Sequence, residues 1–315
     1  MSAPKAKTKD DPRSGLVIGL ATRGRADLML RTVAATAENI ADERTRLLVF
    51  IDDDDLATRT AAGKFAAPVI PVIRPRPLTV ADKWNQMLEL PADAYLIMVD
   101  HSPHRTKGFD RVILDAVKLF EGGPGVVLGP QANMSFHCAD VVTKAWADAV
   151  GYIYPPYFPY WFTDHWLEDV AKMTGLTELI DIAVDSSAKP FTSELREPSW
   201  WATWYDAARS LREADARRVL GISENTVALR RAAALMHHRS VMINNTVRLQ
   251  SAALSQMSRL SICDERYQRA KARALEMLPT LLDTLGPDRA AFEAVLYPQQ
   301  RISAIPQRHP PKAPA

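Results

Sequence analysis

Three continuous apolar runs stand out in the first hundred positions: Leu16–Ala21, Leu47–Ile51 and Tyr95–Val99. Each ends abruptly in polar chemistry, at Thr22-Arg23-Gly24-Arg25, at Asp52-Asp53-Asp54-Asp55 and at Asp100-His101-Ser102. Short runs without alternation are the pattern of strands buried on both faces. Helical spacing separates them. Leu28, Leu30, Val33, Ala34 and Ala37 mark a helix to about Ile40, a short helix is expected over 56–66, and Thr79 or Asp82 opens another over 79–90. This alternation predicts parallel pairing in an open α/β sheet, whose ligand lies at the C-terminal strand ends.

Further along, Val69–Ile73 carries Pro71 and reads as an edge strand. A helix is expected over 109–121, closed by Gly122-Gly123, then a short strand at 126–128. Residues 151–162 hold seven aromatics and three prolines in twelve positions, an ordered loop with aromatic walls. A helix over 164–174 and a last strand over 180–184 follow, and from about Trp200 to Leu285 the pattern is almost continuously helical. The expected organisation is a disordered tail 1–14, an α/β domain 15–195, a helical extension 196–301 and a Pro-rich disordered tail 302–315.

Composition narrows the class. The 315 residues are 47% hydrophobic, enough for a sizeable core. Net charge is +2 but uneven: residues 1–195 carry 21 Lys and Arg against 26 Asp and Glu, and residues 196–315 carry 18 against 11. The acidic part suits a cation; the basic part suits either solvent or an acidic partner. Cys138 and Cys263 form no disulfide framework and lack zinc-ligand spacing. No apolar run approaches the roughly 18 residues of a membrane span, so a soluble, cytoplasmic protein is expected.

Five constellations carry candidate chemistry. Thr22, Arg23 and Arg25 lie between a strand and a helix, where backbone N–H groups and guanidinium groups suit a diphosphate or a nucleobase. Among the four consecutive carboxylates, Asp52 and Asp54 are placed to accept from a ribose or a base, while Asp55 equally reads as a helix cap. Arg74, Arg76, Lys83 and Asn85 flank the next helix, within range of phosphates or a sugar. Asp100 and His101 are candidate ligands of a divalent Mn or Mg ion that would neutralise a departing diphosphate. Asp164 follows the aromatic loop, and partial desolvation there would raise its pKa and suit a general base. Glu168 and Asp169 read as helix-surface charges and His104 as a solvated neighbour.

In this order the set resembles the GT-A glycosyltransferases, in particular the family-2-like inverting enzymes, over roughly residues 15–185. Thr22-Arg23-x-Arg25 is similar to the family's opening loop, Asp52 to its nucleoside-contacting aspartate, Lys83-Trp84-Asn85 to its helix segment with an Asn, Asp100 to the first member of its DxD motif, and Asp164 to its base. The second carboxylate of the DxD motif is absent, and Asp185-Ser186-Ser187 stands where many relatives have a His. His101 or Asp185 is left to substitute, or the enzyme works without metal. The resemblance implies a nucleotide diphosphate sugar donor, UDP-linked, binding at Thr22, Arg23, Arg25, Asp52, Asp54, Arg76, Lys83, Asn85 and Asp100, with transfer to an acceptor hydroxyl by inversion. Tyr160, Trp161 and His165 are the candidate acceptor contacts.

Two alternatives stay open. A nucleotidyltransferase would use a similar scaffold and release pyrophosphate. Residues 214–236, with Gly221 in the turn and Arg230 and Arg231 on the second helix, resemble a helix-turn-helix, so a DNA-binding protein on a non-catalytic transferase fold is the reading from another class. DNA with hydroxylated bases is likewise a candidate acceptor. Trp200, Trp201, Trp204 and Tyr205 could stack on a flipped base or form the core of the helical extension.

Overall fold

The computed structural model describes residues 14–130, 137–159, 161–185, 197–254 and 265–297. The expectations for both tails, and Tyr160, Ser186, Ser187 and Cys263, lie outside the described residues.

The chain opens with β1 (Leu16–Ala21), α1 (Ala26–Ala37), β2 (Arg46–Asp52), α2 (Leu56–Ala62), β3 (Val69–Arg74) and α3 (Val80–Asn85), which tightens into a 3₁₀ turn at Gln86–Glu89. Next come β4 (Ala94–Val99), α4 (Phe109–Lys118), β5 (Val126–Pro130), β6 (His137–Thr143), α5 (Lys144–Val150), α6 (Thr163–Thr174) and β7 (Thr177–Leu179). The helices α7 (Pro198–Ala207), α8 (Arg209–Leu220), α9 (Val227–Leu254), α10 (Glu265–Asp283) and α11 (Arg289–Leu296) complete it.

Among the described residues seven strands form one sheet in the order β3-β2-β1-β4-β6-β5-β7. β1 pairs in parallel with both β2 and β4, and β2 with β3. β6 runs antiparallel between β4 and β5. The expected open, mostly parallel sheet is therefore present, with a strand that the apolar pattern did not reveal. The last expected strand is displaced. Residues 177–179 pair with β5, whereas Val184 makes only an isolated bridge to His104.

Successive side chains of the central strands point to opposite faces. Leu16, Ile18, Leu20, Leu47, Val49, Leu96 and Met98 pack under α1, α2 and α4. Val17, Leu48, Phe50, Tyr95, Ile97 and Val142 pack on the other side, in one apolar cluster that also holds Trp146, Trp166, Trp201, Trp204, Leu229 and Leu278. The core therefore does not divide near residue 195. Trp200, Trp201, Trp204 and Tyr205 are all buried, as the core-of-the-extension reading expected.

Two local features bring the strand tips together. A Cβ at Gly19 would sit 2.4 Å from Met87 Sδ, so glycine there leaves room for the Met87 side chain from the turn after α3 to lie against β1. That turn continues a helix fixed at its start by a capping box between Thr79 and Asp82. Gly24 has φ +65°, which turns the chain sharply between β1 and α1.

The helix-turn-helix resemblance meets a different geometry. Gly221 does cap α8 in the left-handed conformation. However, α9 runs 28 residues and buries Leu229, Ala233, Ser240 and Asn244 against the body, a packing helix rather than a short projecting reader. Among the described residues no helix is long and apolar enough to cross a membrane.

Candidate functional site

The run of four aspartates has four fates. Asp52 is 1% exposed and gathers cations: Lys83 Nζ at 2.5 Å, Arg23 Nη1 at 3.0 Å and Arg76 Nε at 3.8 Å. Asp53 is exposed, its carbonyl accepting from Arg59. Asp54, half exposed, pairs with Arg23 through both oxygens. Asp55 caps α2 through Thr58 and accepts from Gly24 N–H at 2.6 Å, so the helix-cap reading holds and the residue also fixes the loop after β1.

Electrostatics follow from this packing. Burial pushes the Lys83 ammonium below its ordinary pKa, and Asp52 partly restores it. Asp54 and Asp52 hold the Arg23 guanidinium firmly charged. A buried carboxylate surrounded by three cations is a device for holding positive charge at one place. In this geometry Asp52 acts through those cations.

Asp100 lies at the tip of β4, fully buried. Its Oδ2 accepts from Thr22 Oγ1 at 2.9 Å and sits 2.9 Å from Arg25 Nε, close enough to pair by charge although that N–H is not aligned for a hydrogen bond. Its Oδ1 is 3.2 Å from His101 Nδ1, and its backbone carbonyl accepts from Thr32. Both carboxylate oxygens thus already face polar neighbours. Among the described residues no three His, Cys, Asp or Glu side chains come together as a metal cluster. On the Oδ2 side of Asp100 a divalent ion would have to displace Arg25, while Oδ1 and His101 Nδ1 face each other. Asp185 pairs instead with Arg105 at 2.9 Å. His104 is buried and stacked on Phe109 at 4.5 Å, not solvated; burial lowers its pKa to about 4.

Asn85 turns away from the strand tips. Its Oδ1 accepts from the N–H groups of Ile153 and Tyr154, at 2.9 and 3.0 Å, and its amide donates to the Tyr154 carbonyl at 2.8 Å. It clamps the aromatic loop rather than facing the donor position expected from sequence. Arg74, at the end of the edge strand, is paired with Glu89.

Asp164 lies in the first turn of α6, two residues after Phe162, which holds φ +68° and stacks on Tyr205 at 5.2 Å. A bulky residue in that conformation is strained and persists only because its surroundings over-determine it. The Asp164 side chain is 50% exposed. The surrounding protein pushes its pKa up, but the His165 charge, ring and backbone N–H together bring it below the ordinary carboxylate value. This reverses the raised pKa expected from an aromatic wall. His165 Nδ1 lies 2.9 Å from Asp164 Oδ1; burial pulls that imidazole down and the carboxylate more than offsets it, so its pKa is raised. Trp161 is half-buried beside the same helix start.

Sequence reasoning missed three groups here. Glu168 and Asp169 are buried, not surface charges: Arg239 pairs with both, and Arg212 Nε lies 3.3 Å from Asp169. The Arg212 guanidinium also covers the Tyr205 ring at 4.1 Å. Asp140, on the antiparallel β6, accepts from the buried Tyr154 hydroxyl, whose pKa is raised by burial, by Asp140 and by Asp164. The arginine partners of Glu168 and Asp169 on α6 come from helices 43 to 71 residues away, beyond any local spacing signal.

No protein-family model matches the chain, and no curated protein matches it in sequence. Solved structures match in fold. The mannosyltransferase PcManGT from Pyrobaculum calidifontis, in complex with GDP-Man and Mn2+, aligns with a TM-score of 0.51 at 13% identity, over 92% of this chain and 88% of that one. TarS 1-349 from S. aureus in complex with UDP aligns with a TM-score of 0.55 at 10% identity, over 91% of each chain. Its complex with UDP-GlcNAc gives 0.54 at 10% identity, over 91% and 92%. The chain therefore has a glycosyltransferase-like α/β fold.

Proposed function

We propose that the protein is a glycosyltransferase of the GT-A kind that moves a sugar, with inversion, from a nucleoside diphosphate donor to an acceptor hydroxyl. The observation that carries this reading is the assembly at the tips of β1, β2 and β4. Arg23, Arg25, Arg76 and Lys83 converge there around the buried Asp52 and Asp100. Guanidinium groups suit phosphate oxygens, and an α/β sheet binds its ligand at this edge. The fold is shared with proteins described as holding GDP-Man, UDP and UDP-GlcNAc, and we take the donor here to be UDP-linked.

In this mechanism Asp164 is the general base. With its pKa held low it is ionised at neutral pH. It takes the proton of the acceptor hydroxyl while that oxygen bonds to the anomeric carbon. The bond from that carbon to the diphosphate oxygen breaks, and its electron pair leaves with the nucleoside diphosphate. The clustered cations stabilise the charge that develops there. Trp161 and His165 flank the acceptor. No step requires a divalent ion.

The test is Asp164→Asn. Asn keeps the shape but takes no proton, so transfer falls by about 10²- to 10⁴-fold while UDP affinity is retained. An Asn variant with the full transfer rate would sink the assignment. The long packed α9 speaks against a DNA reader on a dead fold, and nucleotide-independent DNA binding would revive it.

A further inference from the structure

We propose that Arg25 is the resident cation of this site and that the protein binds its nucleoside diphosphate without a divalent metal; this rests on the transferase reading above. Metal-assisted transfer needs a carboxylate with an open oxygen. At Asp100 the Oδ2 side is already taken: Thr22 donates to Oδ2 and Arg25 Nε stands 2.9 Å from the same oxygen, while Oδ1 faces His101 Nδ1. The position two residues on, where a second carboxylate would add a ligand, is the buried Ser102.

Arg25 is built to stay. It follows the turn set by Gly24, whose φ is +65° and whose N–H is held by Asp55. It stands at the N-terminal boundary of α1, and its carbonyl accepts the first helical bond, from Met29. The side chain is 29% exposed while its Nε is buried. One part of the guanidinium therefore lies against Asp100 and the rest reaches the open side of the strand tips. A guanidinium so anchored offers a phosphate two parallel N–H donors, which an ammonium does not. It carries the charge that a metal would otherwise bring, and Lys83, Arg23 and Arg76 beside Asp52 add to it.

The experiment measures UDP and GDP affinity of the full chain by calorimetry, in EDTA and in Mn2+, and free Mn2+ by electron paramagnetic resonance. Wild-type affinity is expected to agree within about twofold between the two conditions. Arg25→Ala is expected to lose at least about tenfold in EDTA and to recover in Mn2+, now binding one Mn2+ through the exposed Asp100. Arg25→Lys, which keeps the charge, should hold nucleotide in EDTA more tightly than Arg25→Ala. A wild-type affinity that falls about tenfold or more in EDTA overturns the proposal, as does stoichiometric Mn2+ uptake by the wild type with UDP. That comparison needs no variant to fold. Absence of UDP and GDP binding in both conditions is a different result: it removes the transferase reading itself, and this inference with it.

Discussion

The Lys83 ammonium lies 2.5 Å from Oδ1 of Asp52, and both groups are buried. Breaking such a pair from one side strands the other charge. Asp52→Asn should therefore lower unfolding free energy by about 3 kcal/mol and weaken UDP binding. The pH response fixes the sign. Burial already holds Lys83 below its ordinary 10.5, so the fold binds fewer protons than the unfolded chain and stability rises with pH toward 10.5. Without Asp52 that pKa falls further and the rise begins at lower pH. Urea unfolding at pH 7 and at pH 9 reads the change.

His165 sets the working range of the base. Its charge and ring are the largest of the contributions that hold Asp164 below its ordinary 3.8. In His165→Ala the charge and ring contributions are lost while the backbone N–H groups stay, and the Asp164 pKa rises. The acid limb of the kcat/KM profile should move to higher pH, with the rate well above that limb nearly kept. The pair also bears on stability. The Asp164 contribution is present above 3.8 and is lost as pH falls through the lowered pKa; that of His165 is present below 6.5 and is lost as pH rises through the raised one. An acid limb that stays in place in His165→Ala removes this assignment.

Asn85→Ala should act on the acceptor side. It leaves two backbone N–H groups and one carbonyl of the aromatic loop without their partner. A loss of about 3 kcal/mol is expected, with the acceptor KM raised more than the donor KM. Asn85→Asp keeps the acceptor for both N–H groups and should cost less. Equal effects on the two substrates would return Asn85 to the donor site.

His104 predicts a pH slope unrelated to catalysis. Its pKa falls from 6.5 to about 4 on folding, so it stays neutral in the fold while the unfolded chain takes up a proton. The stability it contributes is present above pH 6.5 and is lost as pH drops toward 4, about 3 kcal/mol at most. His104→Phe should flatten that part of the Tm profile, because the ring already stacks on Phe109. A slope unchanged by the substitution would assign it to other groups.

The legible parts of this protein were those whose physics is local. Continuous apolar runs announced β1, β2 and β4, Pro71 marked the edge strand, and the polar groups ending each run converge where an open sheet binds ligand. β6 was silent because His137-Cys138-Ala139-Asp140 breaks the apolar run, leaving only Val141 and Val142. Residues 180–184 read as a strand, but a strand also needs a neighbour, and β5 pairs with 177–179. Asn85, Asp140, Glu168 and Asp169 were misread or missed because their partners are far away in sequence. Adjacent lettering gives a side chain's type, and only the fold gives its counterpart.

Arg212 and Arg239 reach from α8 and α9 to α6, the helix that carries Asp164 in its first turn. The recognisable part of the chain is thus bolted to the unrecognisable part by charges that neither could bury alone. A fragment ending near residue 195 would retain every residue of the opening strand-tip motifs and lose the counter-ions of Glu168 and Asp169. The two halves are not interchangeable modules. Grafting a different C-terminal region would have to replace two guanidinium groups at fixed positions, so drift in the helices is constrained by a carboxylate pair lying just beyond the site.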